Sequence, residues 1–328
     1  MSMRKSAKSP EESMVIETWE SLVLHALYRE DLIKEPMVFK GGSALRLLYG
    51  SDRMSGDLDF DSFSISGLPP KTDEAPGETA QRIERCLRGA ADLLNAFGFK
   101  KTTFSLVKKG EGTVRFKTSA EISLPREDTL SFNSKVEISR RLDPGLRAVA
   151  EKYGVDSIET TIEFTPSMGE AGKKLGAPPP PGGTGVFVKA YTPLALFLMK
   201  TSAVMSPSRH STRDVYDMAY IWSRLGLGDK ERQGFLMDCI QLYMDGLTPA
   251  KKDTLLSLLE EKATRFVEEF ENDADLNFYG GKDLNEAGLL VLEFLDEFTE
   301  LVNSFPEDLS SFKRTRESLV LSGGPGVT

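Results

Sequence analysis

The fold of this chain is decided by residues 40–60, which read KGGSALRLLYGSDRMSGDLDF. The apolar residues 37–39 just before them predict a short strand that ends at the turn Gly41-Gly42. The residues that follow, 43–49, predict a helix with Ser43 near its N-cap. This stretch therefore predicts a strand, a glycine turn, a helix and a second strand in close succession.

The second strand carries two aspartates, Asp57 and Asp59, which alternate with Leu58 and Phe60. Because side chains two apart leave the same face of a strand, the two carboxylates lie side by side while the apolar residues enter the core. Adjacent carboxylates repel each other unless a cation neutralises them. Oxygen ligands of this kind suit Mg²⁺, and two such ions can stabilise the attacking and leaving oxygens of a phosphoryl transfer.

The glycine turn supplies the complementary feature. Two glycines before a helix allow main-chain N–H groups to approach a phosphate, and the helix dipole favours the anion. Thirteen residues separate Ser43 from Asp57, which is enough for one helix and a return into a neighbouring strand. The combination of the turn with the aspartate pair is a sharper signal than either alone.

The rest of the chain divides into two halves by its periodicity. Helical spacing of apolar residues predicts helices at 13–33 and 78–97, and Pro- and Gly-rich residues predict a loop at 66–77. A β-type pattern predicts a hairpin over 104–116 and strands at 135–138, 160–164 and 186–188. Pro- and Gly-rich residues 167–186 predict a surface excursion. Everything later predicts helices, at 193–205, 212–225, 231–245, 249–271 and 284–303, before a Gly-rich tail. The expected organisation is an α/β (α+β) domain over 1–189 followed by an all-α domain over 190–328.

Composition excludes several classes of site. The 328 residues are 40% apolar and 28% charged, as in an ordinary globular protein, and no stretch is apolar enough to cross a membrane. Two cysteines rule out a thiolate zinc cluster, and two histidines rule out a three-histidine metal site. His25 is interpreted as a core residue and His210 as a surface residue. A start that lacks the apolar block of a signal peptide predicts a cytoplasmic location.

Charge is distributed unevenly. Residues 1–189 hold 27 basic and 27 acidic side chains, whereas residues 190–328 hold 14 basic and 23 acidic ones, which accounts for the net charge of −9. A nucleic acid would therefore contact mainly the first half. One basic window there is either a solvated hairpin face or a track for RNA phosphates, reinforced by Arg140 and Arg141. Its six cations are Lys100, Lys101, Lys108, Lys109, Arg115 and Lys117.

Two blocks of the sequence resemble a known family. Residues 40–60 resemble the first motif of polymerase-β-type nucleotidyltransferases, and more narrowly that of the AbiEii/AbiGii toxins, which include the MenT-type tRNA-modifying toxins. Residues 200–203, KTSA, followed by Arg209 and by residues 213–218, RDVYDM, resemble a second motif of that family. The resemblance covers roughly residues 13–225. It implies a nucleotidyltransferase domain with a mixed sheet, followed by a helical domain that completes the active site.

The resemblance also implies roles for individual residues. Asp57 and Asp59 would bind metal, and Lys200 would contact phosphate. Asp214 would complete the site, with Asp217 structural. The nucleotide would be held by Gly41, Gly42, Ser43, Arg53, Ser55 and Lys200.

A third metal carboxylate is expected on a later strand, where it could also accept the proton of the attacking hydroxyl. Glu137 is preferred by its order in the chain. Glu121 and Glu163 also lie on expected strands and remain alternatives.

The expected activity is Mg²⁺-dependent transfer of a nucleoside monophosphate from an NTP to an acceptor hydroxyl. By resemblance the acceptor would be the 3′ end of tRNA, the protein would be a toxin, and a cognate antitoxin would be its partner. One alternative is a nucleotidyltransferase that modifies a protein or a cationic small molecule such as an aminoglycoside, which the acidic second half would suit. Another is a nucleotide-binding module without catalysis.

Overall fold

The computed structural model describes residues 10–29, 37–62, 76–110, 113–123, 129–139, 157–163, 185–206, 212–224, 249–269 and 284–304. Its described helices are α1 (Pro10–Arg29), α2 (Gly41–Tyr49), α3 (Pro76–Ala96), α4 (Pro193–Val204), α5 (Arg213–Arg224), α6 (Pro249–Glu269) and α7 (Leu284–Asn303). Its strands are β1 (Met37–Lys40), β2 (Asp57–Ser62), β3 (Phe99–Gly110), β4 (Thr113–Ser123), β5 (Thr129–Ser139), β6 (Ser157–Glu163) and β7 (Gly185–Tyr191). None of the described helices is long and apolar enough to cross a membrane.

All seven strands form one mixed sheet in the order β3-β4-β5-β2-β1-β7-β6. Two neighbouring pairs, β2 with β5 and β1 with β7, are parallel, and the other four are antiparallel. The expected hairpin is thus formed by β3 and β4. The expectation of an α/β chain with a mixed sheet is confirmed at this level.

Alternation along β2 divides the sheet into two faces. Leu58 and Phe60 are fully buried on one face with Phe39 of β1, whose ring centroid lies 5.4 Å from that of Phe60. This face packs against α1 and α3, where Trp19 and Leu87 are also fully buried. The opposite face carries Asp57 and Asp59.

A second apolar core is formed by helices α4, α5, α6 and α7. The rings of Phe197, Trp222, Phe294 and Phe298 lie 5.3–6.2 Å apart, an aromatic cluster that adds to the area each ring buries. Val38 of β1 and Leu45 of α2 belong to this same core. This core therefore packs the helices from α4 to α7 against β1 and α2, the two elements that meet at the glycine turn.

Two local expectations were wrong. The N-cap of α2 is Lys40, and Ser43 is the third residue of the helix, because the glycines themselves begin α2. Pro76 and Gly77 belong to α3 and not to a loop, since proline is well tolerated in the first turn of a helix. The expected helix at 231–245, the segments 66–75 and 167–184, and the tail lie outside the described residues, and the domain boundary near residue 190 stays a prediction.

Candidate active site

The turn between β1 and α2 requires its glycines. Gly41 has a φ of +82°, and a Cβ there would lie 2.6 Å from Oδ2 of Asp59. A Cβ on Gly42 would lie 2.3 Å from a terminal guanidinium nitrogen of Arg53 and 2.9 Å from Oγ of Ser55. Side chains from β2 and from the segment before it thus close on the turn, which only glycine permits.

The N-terminus of α2 opens beside these residues. Its N-cap, Lys40, makes no side-chain capping hydrogen bond. The N–H groups of a first helical turn have no partner within the helix, so they can donate hydrogen bonds to an anion. The other end is closed by Gly50, whose N–H donates to the carbonyl of Arg46 while Ser51 donates to that of Leu45.

Register places three acidic side chains on the open face of the sheet. Asp57 lies opposite Lys135 of β5, and Asp59 lies opposite Glu137 on one side and Lys40 on the other. Oδ1 of Asp57 accepts from the main-chain N–H of Lys135 at 3.1 Å, and its Oδ2 lies 3.4 Å from the Lys135 ammonium. Asp57 is therefore held at one side and open to solvent at the other.

The environment of Asp59 disfavours its charge. Burial raises its pKa above the ordinary value, and the carboxylates of Asp57 and Glu137 act in the same direction against Lys40 and Lys200. The ionised form of Asp59 is thus disfavoured in this environment. A bound cation would remove that penalty.

Glu137 is engaged by a neighbouring arginine. Nε of Arg115, its cross-strand partner on β4, donates to Oε2 of Glu137 at 2.5 Å. Within the described part of the chain, no three acidic, histidine or cysteine side chains already surround a point where a metal could sit. Arg115 contacts Oε2 of Glu137, so Oε1 is the oxygen that could act as a third metal ligand.

A buried network of ion pairs connects Arg53, beside the glycine turn, to helices α4 and α5. Arg53 donates to both carboxylate oxygens of Asp217 in α5, at 2.7 and 2.8 Å. Lys200 of α4 lies 2.6 Å from Asp217 and 2.7 Å from Asp214. Two cations thus balance two anions in an interior where any one of them alone would be costly.

The pKa values follow from this pairing. Burial opposes the charge on both basic groups, yet Asp214 and Asp217 outweigh it at Lys200, and Asp217 outweighs it at Arg53, so both pKa values are raised. Burial also opposes ionisation of Asp217, but Arg53 and Lys200 lower its pKa to about 2. Arg53, Lys200 and Asp217 are therefore charged at neutral pH.

Comparison with known families decides the identity of this arrangement. The family model described as "Nucleotidyl transferase AbiEii toxin, Type IV TA system" matches residues 25–287. The chain belongs to the AbiEii family. The nucleotidyltransferase and toxin–antitoxin character expected from the two sequence blocks is thereby confirmed.

The other comparisons add little to the AbiEii assignment. No curated protein matches the chain. A crystal structure of JHP933 from Helicobacter pylori matches with a TM-score of 0.49 and 16% identity, covering 97% of this chain and 100% of that one.

The structure brings most of the expected AbiEii site residues together. The glycines, Ser55 and Arg53 meet at the turn, and Asp57, Asp59 and Glu137 share the open face of the sheet. Lys200 and Asp214 contact each other at 2.7 Å. Their roles toward metal and nucleotide stay predictions.

The alternatives for the third carboxylate lie elsewhere. Glu121 is near the far end of β4, where it pairs with Lys101 at 2.8 Å. Glu163 is on β6, the strand at the opposite edge of the sheet from β3. Of the three, only Glu137 lies beside Asp59 in register.

Three further residues have contacts near the site that the sequence pattern does not predict. Asp61 is buried and bonded to Lys40 and to the Tyr191 hydroxyl, so the third aspartate of β2 anchors the sheet. Arg115 pairs with Glu137, whereas the sequence pattern places it only in a basic window. Glu20 lies beneath Ser43, at 2.7 Å from its Oγ. A glutamate at a buried position of an apolar helix is the signal that could have found it.

Proposed function

We propose that this AbiEii-family protein transfers a nucleoside monophosphate from an NTP to a hydroxyl at the 3′ end of tRNA, with Mg²⁺ as cofactor. The observation that carries the proposal is the approach of Gly41 to Asp59, because a Cβ on this glycine would stand 2.6 Å from the Asp59 carboxylate. An uncapped helix N-terminus and a carboxylate pair thus share one small space. The first suits phosphate and the second suits a divalent cation.

The residues present fit a Mg²⁺ site. Asp57 and Asp59 leave the same face of β2, and burial, reinforced by the carboxylates of Asp57 and Glu137, raises the pKa of Asp59, so a cation would stabilise its ionised form. These two residues would hold the metal, with Oε1 of Glu137 as a third ligand. Bound there, Mg²⁺ would supply charge stabilisation for the phosphoryl oxygens.

The protein residues have separable tasks in the transfer. N–H groups of Gly42 and Ser43 bind the triphosphate, and Lys200 and Arg53, paired with aspartates of α5, hold the turn against the later helices. The acceptor oxygen forms a bond to the α-phosphorus as the bond from that phosphorus to the α–β bridging oxygen breaks, and pyrophosphate leaves. Glu137 accepts the proton of the acceptor hydroxyl at its carboxylate.

The case for a polynucleotide acceptor rests on the cations of the open face. Lys117 of β4 lies directly opposite Lys135 of β5, which lies opposite Asp57 of β2. Lys117 and Lys135 are both exposed, and like charges placed opposite each other are unfavourable, so an anion beside Lys117 would be stabilising as Asp57 is beside Lys135. A phosphate chain on this row would lead toward Asp57.

The test compares wild type with Asp59→Asn, which keeps the shape of the side chain and removes its charge. Each NTP, radiolabelled at the α-phosphate, is incubated with total tRNA and Mg²⁺. We expect labelled tRNA from wild type and a loss of at least about a hundredfold in the variant. Equal labelling by both proteins would refute the role of Asp59.

Acceptor identity is tested in the same assay. Label on an aminoglycoside or a protein and none on tRNA would replace the acceptor and keep the reaction. Tight NTP binding without any transfer would instead favour a nucleotide-binding module. In a cell, the toxin role predicts growth arrest on expression of wild type and none with Asp59→Asn, and relief by a cognate antitoxin.

A further inference from the structure

Glu20 is an acidic side chain with an unusual environment in the middle of α1. Its side chain is 0% exposed, and its Oε2 has no hydrogen-bond partner among the described residues. Arg46, the cation whose charge acts on Glu20, binds Glu17 at 2.5 Å. A buried carboxylate without a cation of its own is costly, so this position favours the neutral acid.

The hydrogen bonds at Ser43 require the same conclusion. Oγ of Ser43 lies 2.7 Å from Oε1 of Glu20 and 2.6 Å from the main-chain carbonyl oxygen of Asp57. Both distances are those of O–H···O hydrogen bonds. A serine hydroxyl has one proton and a carbonyl oxygen has none, so one of the two bonds needs a proton from Glu20.

The electrostatics agree with this proton count. Burial raises the pKa of Glu20 well above its ordinary value, and the carboxylates of Glu17 and Asp57 act in the same direction. The contact with Ser43 and the charge of Arg46 oppose the rise and do not cancel it. The direction of this shift agrees with the proton that the two hydrogen bonds of Ser43 require from Glu20.

We propose that Glu20 is a positioning residue: its protonated carboxyl donates to Ser43 Oγ, and Ser43 donates to the main-chain carbonyl of Asp57. This chain of bonds ties α1 to α2 and α2 to the first residue of β2. It fixes the backbone of Asp57 relative to the glycine turn. The hydroxyl of Ser43 is thereby committed to the protein, which leaves its N–H for phosphate.

The protonation state has a direct spectroscopic test. The infrared spectrum of the full chain at neutral pH should contain a carboxylic-acid C=O band that Glu20→Gln lacks and that Glu84→Gln, the same change at a solvent-accessible glutamate of α3, retains. The readout is independent of any substrate. Absence of a Glu20-dependent band would mean that Glu20 is ionised and would overturn the proposal.

The positioning role rests on the proposed function and is tested through metal binding as well as transfer. Glu20→Leu removes the donor, whereas the amide of Glu20→Gln can still donate to Ser43. We expect Glu20→Leu to weaken Mn²⁺ binding and to lower kcat for tRNA labelling by about tenfold or more, with Glu20→Gln restoring most of both. The KM for NTP should change less than kcat, since the N–H groups of the turn remain.

Three results would contradict this role. One is a Glu20→Leu variant with undiminished Mn²⁺ affinity and kcat. Another is a Glu20→Gln variant as impaired as Glu20→Leu, which would mean that a negative charge is required. The third is an effect of Glu20→Leu that persists in full in a Ser43→Ala background, which would mean that Glu20 does not act through Ser43.

The outcomes separate the two proposals. A wild type that labels no acceptor defeats the proposed function, and the infrared band and Mn²⁺ binding still decide the role of Glu20. If Glu20→Leu does not fold, the infrared difference and the comparison of Glu20→Gln with wild type decide it.

Discussion

Arg53, which precedes β2, and Asp217, in α5, form a two-pronged ion pair that is closed to solvent. Nε lies 2.7 Å from Oδ1, and a terminal nitrogen lies 2.8 Å from Oδ2. The side chains are 3% and 0% exposed. A planar guanidinium matches a carboxylate in this way, and an ammonium cannot. The pair therefore fixes both the distance and the angle between the glycine turn and the later helices.

Replacement of Arg53 by lysine should be far from conservative. Arg53→Lys keeps the charge and loses the fork, so we expect the free energy of unfolding in urea to fall by about 2–4 kcal/mol. The exposed pair of Arg88 with Glu84 is the control, and Arg88→Lys should change it by less than about 0.5 kcal/mol. Equal effects of the two substitutions would contradict a structural role for the buried pair.

A methyl group on Gly42 should damage the site. Gly42→Ala places a Cβ 2.3 Å from the Arg53 guanidinium, so the ion pair or the turn must shift. We expect a loss of about 1–3 kcal/mol of stability and weaker NTP binding in calorimetry.

Gly288 of α7 is the control for that substitution, because a Cβ there meets nothing within 4 Å. Gly288→Ala should stabilise the protein by about 0.5–1 kcal/mol through helix propensity alone. A Gly42→Ala protein as stable as wild type, with intact NTP binding, would show that the turn has more room than the structure gives it.

The neutral state of Glu20 predicts a pH dependence with a definite sign. Its folded pKa is raised above the ordinary value of 4.5, so the folded and unfolded states are both protonated below that pH. As the pH rises above 4.5, the unfolded chain ionises first, and stability falls by up to about 1.4 kcal/mol per pH unit until the folded pKa is reached.

Glu20→Gln has no such proton to lose. Its advantage in unfolding free energy over wild type should therefore be small near pH 4 and grow toward pH 7, as measured by urea titrations at several pH values. A difference that is flat with pH would contradict the raised pKa of Glu20.

Lys262 of α6 should stabilise the end of α4. Its side chain is buried, and its Nζ donates to the carbonyl of Val204 at 2.8 Å and lies 3.3 Å from that of Ser206. Lys262→Met keeps much of the volume and leaves these carbonyls without their donor, so we expect a loss of about 1–3 kcal/mol. Lys101→Met, at an exposed surface pair, should stay within about 0.5 kcal/mol in the same thermal or urea melts.

Local pattern was enough to predict the part of the site that lies within a few residues. The shared face of Asp57 and Asp59 follows from the two-residue period of a strand, and the glycine turn follows from residues adjacent in the chain. The order of the strands also favoured Glu137 over its alternatives.

The remaining contacts depend on residues far apart in sequence. Ser43 is 23 residues from Glu20, and Arg53 is 164 residues from Asp217. The pKa of a glutamate in a helix depends on what packs around it, which periodicity does not specify. The motif predicts a phosphate contact for Lys200, whereas the pairing of Lys200 with two aspartates depends on how α4 packs against α5.

The ion network of Arg53, Lys200, Asp214 and Asp217 also constrains how such a protein can be recombined. A chimaera that kept residues 1–189 and took its helices from a distant homologue would carry Arg53 into the interior. Without an aspartate at the position of Asp217, that guanidinium would enter the graft with no counter-ion. The four side chains therefore have to be inherited as one set, and exchanging either half of the chain means exchanging its partners with it.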